Sequence, residues 1–567
     1  MKKTFLALLL LLLIISTGVF FLFSCGDKRD NDSNTDITIS NNGEKNDNNK
    51  TPGNNETPGN SDNSDHTHHF GDFVTIQMPT CTEKGIKVRA CACGVEEKEF
   101  MPTNVHSDNG KGTCSLCNRP LIPTKGITYS LSKDGTYAIA YDYEGEDTVI
   151  LLASEYEGLP VKEIKNYLFS HNDNIVSVFI PNSVTYISEG AFYDCENLEL
   201  VELSDNIEKI SESAFEDCPK LSFNEHSNAK YLGNASNPYL ALITANNENE
   251  ENFSCTVHAD TKIIAEYAFY ENSYIKEIFI GDSVTHINSY AFTQCTLLSN
   301  VDFGANLKEI GNYAFSNCPK LASALLPEGL KTIGSYAFYW NYELKSISIP
   351  NSINEIGSEA FGENLREHYN LYNDSLYLGN NENPYLILYT GLTGAVTITV
   401  HNDTQIICRD AFEYNNTLES VTIGNRVKKI GAYAFAMCKN LKSVFISDSV
   451  EHIDEFAFAE CTSLKDVYLG KNLKNISSYA FGWCPFETLV IPDSVTLIEK
   501  YAFTRCENLV SVTIGKKVEK IEDNAFYKNV KLAEVINLSN LKIEAGDSGN
   551  GGVAYYAKIV HNGETVI

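Results

Sequence analysis

The sequence predicts a repeat solenoid with a parallel β-sheet along one face, and three observations lead to that fold class. From residue 143 onward Ala-Phe recurs, with its Phe at 192, 215, 269, 292, 315, 338, 361, 412, 435, 458, 481, 503 and 526, and a Leu-Phe version at Phe169 opens the series of 14. Successive Phe residues are 23 apart, except for one gap of 22 and two long gaps of 54 and 51. So strict a period means stacked units, each contacting its neighbours, rather than several independent globular domains. Within each period an apolar alternation such as Val178-x-Ile180, Ile278-x-Ile280 or Val444-x-Ile446 marks a half-buried strand. Pro181, Gly281, Pro350 or Gly424 then ends that strand in a turn.

Charge and cysteine usage narrow the function classes. The 567 residues carry 44 basic and 74 acidic side chains, a formal net charge of −30. Nucleic acid and anionic lipid both need a positive surface and are excluded as partners. Sixteen Cys in a chain of this length are too few for a disulfide-framed scaffold, so their positions matter more than their number.

Taken in chain order, residues 1–25 read as an export signal. Lys2 and Lys3 precede an apolar run from Phe5 to Ile15 and a second patch ending Leu22-Phe23-Ser24-Cys25. The last four residues resemble a bacterial lipobox, which implies that Cys25 is lipidated and becomes the first residue after cleavage. The alternative is an uncleaved transmembrane helix, because Phe5 to Phe23 is 19 residues long. Either reading places the rest of the chain outside the cytoplasmic membrane and tethered to it, as an exported, surface-anchored protein. Residues 26–65 are Asn, Asp, Ser, Thr, Gly and Pro, with Thr51-Pro-Gly-Asn repeated at Thr57. Such a segment cannot bury a core and is expected to be a disordered stalk, with an end-to-end distance on the order of 35 Å.

Residues 66–125 form a small Cys/His module. His66, His68 and His69 precede Cys81, Cys91, Cys93, His106, Cys114 and Cys117. Thiolates and imidazoles at short spacing suit a tetrahedral zinc site, and Cys114-x-x-Cys117 is a common chelating turn. Disulfides are the alternative in an exported chain, although five Cys would strand one thiol. A metal here would be structural, since no candidate base lies beside an open position. The segment is similar to small Cys/His modules that precede repeats in gut-bacterial surface proteins, but here only one residue separates Cys91 from Cys93.

The solenoid itself is expected over residues 126–535. Three residues after each motif Phe stands Cys195, Cys218, Cys295, Cys318, Cys438, Cys461, Cys484 or Cys506, and in the other six units an Asn. Stacked coils put equivalent residues in ladders about 4.8 Å apart, so 14 units give a sheet on the order of 65 Å long. Asn suits such a ladder because its amide can pair turn backbone that would otherwise be buried alone. Cys fits as a small, buried, weakly donating residue. Thiols projecting in parallel suit the crossed disulfide dihedral poorly, so these eight are expected as free thiols. Cys255 falls in the inward strand column and Cys408 in a return turn. No single coil can bury its apolar residues alone.

The unit Val-x-Ile-Pro-x-x-Val-x-x-Ile-Gly-x-x-Ala-Phe-x-x-Cys-x-x-Leu resembles the BspA-like leucine-rich repeat family. That resemblance implies a right-handed leucine-rich-repeat superhelix. A parallel sheet would face one side and short turns or helical turns the return side, in 14 regular units of about 23 residues plus two divergent coils. The long gaps supply the divergent coils, whose contents match each other: Tyr231-Leu-Gly-Asn and Asn237-Pro-Tyr-Leu against Tyr377-Leu-Gly-Asn and Asn383-Pro-Tyr-Leu. A duplicated block explains the match, and hairpins that protrude from the stack are expected near 224–246 and 368–392. Residues 536–567 are expected to cap the open edge.

Function is sought among outward-facing positions. Ten residues after the motif Phe come Phe179, Glu202, Phe279, Asp302, Leu325, Ser348, Thr422, Phe445, Tyr468, Val490 and Thr513. Of these, Phe179, Phe279, Phe445 and Tyr468 are the candidate ligand-binding face, because exposed aromatics anchor interfaces. Tyr occupies the position two before the motif Phe in eight units and is expected to pack with its hydroxyl toward water. Phosphate loops and nucleophile elbows are missing from the sequence, and His258 with His401, like His286 with His452, repeat as decoration of equivalent coils. No catalytic residues and no cofactor of the solenoid are expected. The family resemblance implies adhesion to host matrix, host cells or other bacteria. The partner would be an extracellular protein or glycan, the chain a monomer, and its membrane contact limited to the N-terminal lipid. An envelope scaffold or glycan-capturing protein without a host role is the rival reading, with a surface hydrolase behind it.

Overall fold

Each coil closes because three of its stretches pair with the same stretches of the next coil. A computed structural model of the chain describes residues 74–77, 85–90, 96–101, 121–246, 253–362, 365 and 369–563. The described residues all belong to one unit, His68–Ile567, and Met1–Thr67 lies outside them. The export segment, the stalk, Cys25, and the module residues Cys81, Cys91, Cys93, His106, Cys114 and Cys117 also lie outside the described residues. Within that unit, Val74–Gln77, Gly85–Ala90 and Glu96–Met101 form a three-stranded antiparallel sheet.

The first coil-to-coil ladder consists of three-residue strands such as Ser177–Phe179, Leu200–Glu202, Ser443–Phe445 and Asp466–Tyr468. They pair in parallel, with Val178 opposite Val201 and Val444 opposite Val467. Their central β-branched residues point inward, where that side-chain shape suits a pleated surface. The second ladder consists of two-residue strands such as His286–Ile287, Glu309–Ile310 and Thr332–Ile333, also parallel.

The third ladder passes through the Ala-Phe turn. The Phe292 N–H donates to Ala314 O at 2.7 Å, Tyr290 N–H to Asn312 O at 2.9 Å and Gln294 N–H to Ser316 O at 2.9 Å. The intervening N–H groups close turns within the coil, as when Thr293 N–H donates to Tyr290 O at 3.1 Å. This alternation requires left-handed backbone two residues before and two after the Phe, as at Tyr290 (φ 60) and Gln294 (φ 62), Tyr313 (φ 57) and Asn317 (φ 56), Tyr336 (φ 58) and Trp340 (φ 59). Non-glycine residues resist that region at a cost on the order of 1 kcal/mol each, and the hydrogen bonds to the next coil offset it. The return side is therefore built of turns, and α-helix is absent among the described residues.

Inside the coils the motif Phe rings stack. Phe269, Phe292 and Phe315 have centroids 4.8 and 4.9 Å apart, and Phe435, Phe458 and Phe481 have theirs 5.0 and 5.1 Å apart. The stack ends at Phe215 and Phe361 and restarts at Phe269 and Phe412. Those breaks are the two long sequence gaps.

Both gaps hold the same antiparallel meander. Asn224–His226, Ala229–Leu232 and Ala241–Ala245 form the first, and Asn370–Tyr372, Ser375–Leu378 and Ile387–Gly391 the second. The third strand of each joins the two-residue ladder in parallel, at Ile263–Ile264 and Ile406–Ile407. This corrects the expectation of protruding hairpins. Tyr231, Leu232 and Leu242, and Tyr377, Leu378 and Leu388, are buried, because the meander's own apolar residues are drawn into the stack. Only the first strand of each has predominantly exposed side chains.

The repeated Asn residues fasten these coils. Asn234 Nδ2 donates to Leu203 O at 3.1 Å in the preceding coil, and Asn237 Nδ2 to Asp260 O at 2.7 Å in the following one. Asn380 and Asn383 do the same with Ile349 O and Asp403 O, at 2.9 and 2.8 Å. Between each pair the chain turns tightly enough that a Cβ on Gly233 or Gly379 would lie 1.9 Å from a backbone oxygen, which explains the Gly in Tyr-Leu-Gly-Asn. Across the first break, Asn288 also donates to Glu208 O at 3.0 Å and accepts from Ile210 N–H at 3.1 Å.

The ends of the stack differ. At the start, Ile127–Leu131 pairs antiparallel with Ala138–Tyr143, which pairs in parallel with Leu159–Ile164. At the far end the ladders continue into residues 536–563. Ile559–Asn562 pairs in parallel with Glu534–Asn537, and Phe526 N–H donates to Gly551 O at 3.0 Å, the place an Ala carbonyl takes in earlier coils.

Candidate functional site

The Cys and Asn column lies inside the turn ladder and is a structural device. All eight ladder thiols are buried and free. Each Sγ donates to the carbonyl of the preceding coil's motif Phe: Cys195 to Phe169 O at 3.1 Å, Cys218 to Phe192 O at 3.0 Å, Cys295 to Phe269 O at 3.0 Å and Cys318 to Phe292 O at 3.1 Å. Cys438, Cys461, Cys484 and Cys506 repeat this at 3.1, 3.1, 3.2 and 3.3 Å. Where Asn follows a regular coil the amide reaches the same acceptor, Asn341 Nδ2 with Phe315 O at 2.9 Å and Asn529 Nδ2 with Phe503 O at 3.0 Å, whereas Asn415, after a divergent coil, donates to Leu392 O at 3.4 Å. A shared acceptor is why these two residue types alternate. Burial pushes the Cys438 and Cys506 thiols up to about 12, which removes the thiolate that nucleophilic or metal chemistry would need. Cys255 is buried opposite Ile278 in the strand ladder, and Cys408 is buried on the return side.

The outward strand column is not uniform. Phe279, Phe445 and Tyr468 are 37%, 48% and 38% exposed, whereas Phe179 is 8% exposed. Phe179 is thus removed from the candidate ligand-binding face. Its direction follows from the strand, but its register partner Glu202 is buried with it and Leu151 on the other side is half-buried, so the outer side of the sheet is largely covered there. Farther along, Leu325 and Val490 are exposed. The structure brings Phe445 and Tyr468 together, with centroids 4.8 Å apart and planes within 7°. The Tyr468 hydroxyl donates to Asp448 at 3.1 Å. Phe279 lies in a different sheet from this pair.

On the turn ladder the Tyr column packs face to face. Tyr267, Tyr290, Tyr313 and Tyr336 are each 4.8 Å from the next, and Tyr433, Phe456, Tyr479 and Tyr501 form a second comb at 4.8, 4.6 and 4.9 Å. Sequence reasoning passed over Trp340, which is 52% exposed beside the first comb. Aligning the position two after the motif Phe would have found it.

Of the repeated histidines, His258 and His401 are occupied by the meanders, while His286 and His452 lie in the two-residue ladder strands. His258 stacks on Tyr239 at 3.9 Å and His401 on Tyr385 at 4.0 Å, and the Nδ1 of each accepts a backbone N–H, from Asp260 at 3.3 Å and Asp403 at 3.2 Å. Among the described residues no group of three or more His, Cys, Asp or Glu could hold a metal ion, and no helix is long and apolar enough to cross a membrane.

Comparison with known proteins follows the repeat. The chain matches the family described as BspA type leucine rich repeat region, in six copies, over residues 160–240, 262–381, 389–484 and 474–546. No curated protein matches it. Among solved structures, a leucine-rich repeat protein from Bacteroides ovatus is 24% identical, covering 73% of this chain and 94% of its own, with a TM-score of 0.25. A leucine rich cell surface protein from Faecalibacterium prausnitzii is 23% identical, covering 74% and 95%, with a TM-score of 0.26. The pneumococcal vaccine antigen PcpA is 17% identical, covering 74% and 88%, with a TM-score of 0.25. With its repeat matched over more than half its length, the chain belongs to the BspA-type leucine-rich repeat family.

Proposed function

We propose that the chain is a surface-displayed binding protein, held to the membrane through a lipid on Cys25 and acting as an adhesin for an extracellular protein. One observation carries this reading: the stacked Phe445–Tyr468 pair stands in water on the outer face of a regular parallel sheet. Stacking spends one face of each ring and leaves apolar area exposed at a fixed spacing, which is how aromatic anchors of protein interfaces are presented. Binding rather than catalysis agrees with His258 and His401, whose rings and Nδ1 atoms serve the packing of the meanders.

The purified full chain, screened against immobilised matrix proteins and a glycan array, tests this reading. A protein ligand lost on Phe445→Ala together with Tyr468→Ala supports it. Glycan ligands without protein ligands would sink it. Replacing Cys25 by Ser should release the chain from membranes, and mass spectrometry of the N-terminal peptide should find the lipid. A structural zinc in residues 66–125 belongs to the same reading on ligand spacing alone. Metal analysis of chain purified without chelator checks it, and substoichiometric zinc rejects it.

A further inference from the structure

The first tyrosine comb floors a groove of about 470 Å³. Its chemistry differs from the rest of the protein. Of all residues, 21% are charged and the net charge is −30, yet no charged side chain lines this groove. Its walls are Tyr270, Tyr339 and Trp340 with the carboxamides of Gln294 and Asn317. Thr293 and Ser316 lie beneath, their hydroxyls committed to Tyr313 O at 2.5 Å and Tyr339 O at 3.3 Å.

The comb tyrosines use their ring faces on one another, so a ligand meets their edges. The ring with open area is Trp340, half exposed and tilted 42° against Tyr339 at 5.1 Å. Beside it Gln294 Nε2 donates to the Tyr270 hydroxyl at 3.1 Å and to Glu271 Oε1 at 3.3 Å, which leaves the amide oxygen of Gln294 to meet a ligand, with the Glu271 carboxylate just outside the groove lining. Burial holds the Tyr290, Tyr313 and Tyr336 phenols above their ordinary range, so they remain neutral donors.

The second comb supplies a comparison within the same molecule. Two residues after its motif Phe residues come Met437, Glu460, Trp483 and Arg505, where the first block has Glu271, Gln294, Asn317 and Trp340. Trp483 stacks on Tyr479 at 5.8 Å and 10°, so one face of its indole is used internally. The second block places Glu460, Arg505 and a packed indole where the first places two amides and an open indole after Glu271.

We infer that the groove beside Tyr267–Tyr336 binds a neutral carbohydrate, with a sugar ring on the Trp340 indole and its hydroxyls on Gln294 and Asn317. A lining without cations gives an anionic ligand no partner, while amides and phenols beside aromatic area suit a polyol with apolar C–H faces. The groove lies on the turn ladder, and the inference does not rest on the Phe445–Tyr468 face.

The chain has two Trp, which makes a direct test possible. In Trp483→Phe the only indole is Trp340, and neutral oligosaccharides of glucose, galactose or mannose should shift its emission saturably. In Trp340→Phe the same sugars should leave the emission of Trp483 unchanged. Calorimetry with Trp340→Ala or Gln294→Ala should show binding weakened about tenfold or more, with unchanged circular dichroism. Three outcomes would overturn the inference: no neutral oligosaccharide shifting the Trp340 signal, sulfated or uronic oligosaccharides alone doing so, or affinity surviving Trp340→Ala.

Discussion

Phe179 and Phe445 hold the same place in the repeat, ten residues after a motif Phe, yet one is buried and the other stands in water. Both lie on parallel three-residue strands with an inward Val beside them. What differs is the surroundings. Phe179 sits between half-buried Leu151 and buried Glu202, whereas Phe445 has exposed Thr422 on one side and the half-open Tyr468 on the other. Period therefore sets the direction of a side chain, and neighbours from other coils set its exposure.

That contrast can be broken by substitution. Phe458→Ala marks the upper limit, since it empties a fully buried ring stacked on both faces, and should cost about 3–5 kcal/mol by urea unfolding. Phe179→Ala should approach that value, at about 2–4 kcal/mol, because its surroundings already exclude water. Asn234→Ala and Asn380→Ala, which each leave a partner carbonyl beside a divergent coil unpaired, should cost about 1–3 kcal/mol. Phe445→Ala should fall within about 1 kcal/mol of the parent. Equal losses for Phe179→Ala and Phe445→Ala would show that the covered and open regions do not differ. The smallest effect is expected from alkylating reagents at pH 8. With their thiols pushed up to about 12, Cys438 and Cys506 should remain unmodified in the folded chain and react only after unfolding.

Much of the fold was legible in the residues. The Ala-Phe spacing placed the Phe stack, the Val-x-Ile pattern placed the strand ladder, and the Cys-or-Asn column pointed to a buried donor. The carbonyl that this donor reaches, one coil back, was not legible, because it belongs to the turn ladder. That ladder depends on left-handed backbone at residues such as Tyr290 and Gln294, and neither residue type signals such a conformation. The meanders were misjudged for a related reason: Tyr231-Leu-Gly-Asn reads as a turn, and its burial depends on the coils above and below. Of the candidate site, Phe279, Phe445 and Tyr468 were placed outward correctly, Phe179 was not exposed, and the groove at Trp340 went unseen.

The sequence by itself determined the period, the inward columns and the family, because these follow from spacing along one chain and from which side chains leave water. Only the tertiary structure decided which outward positions are open, how the two long gaps are folded into the stack, and where an uncharged groove forms on an acidic protein. Each of these depends on groups that are brought together by stacking and lie 20 residues or more apart in the chain, such as Asn234 with Leu203 or Trp340 with Gln294.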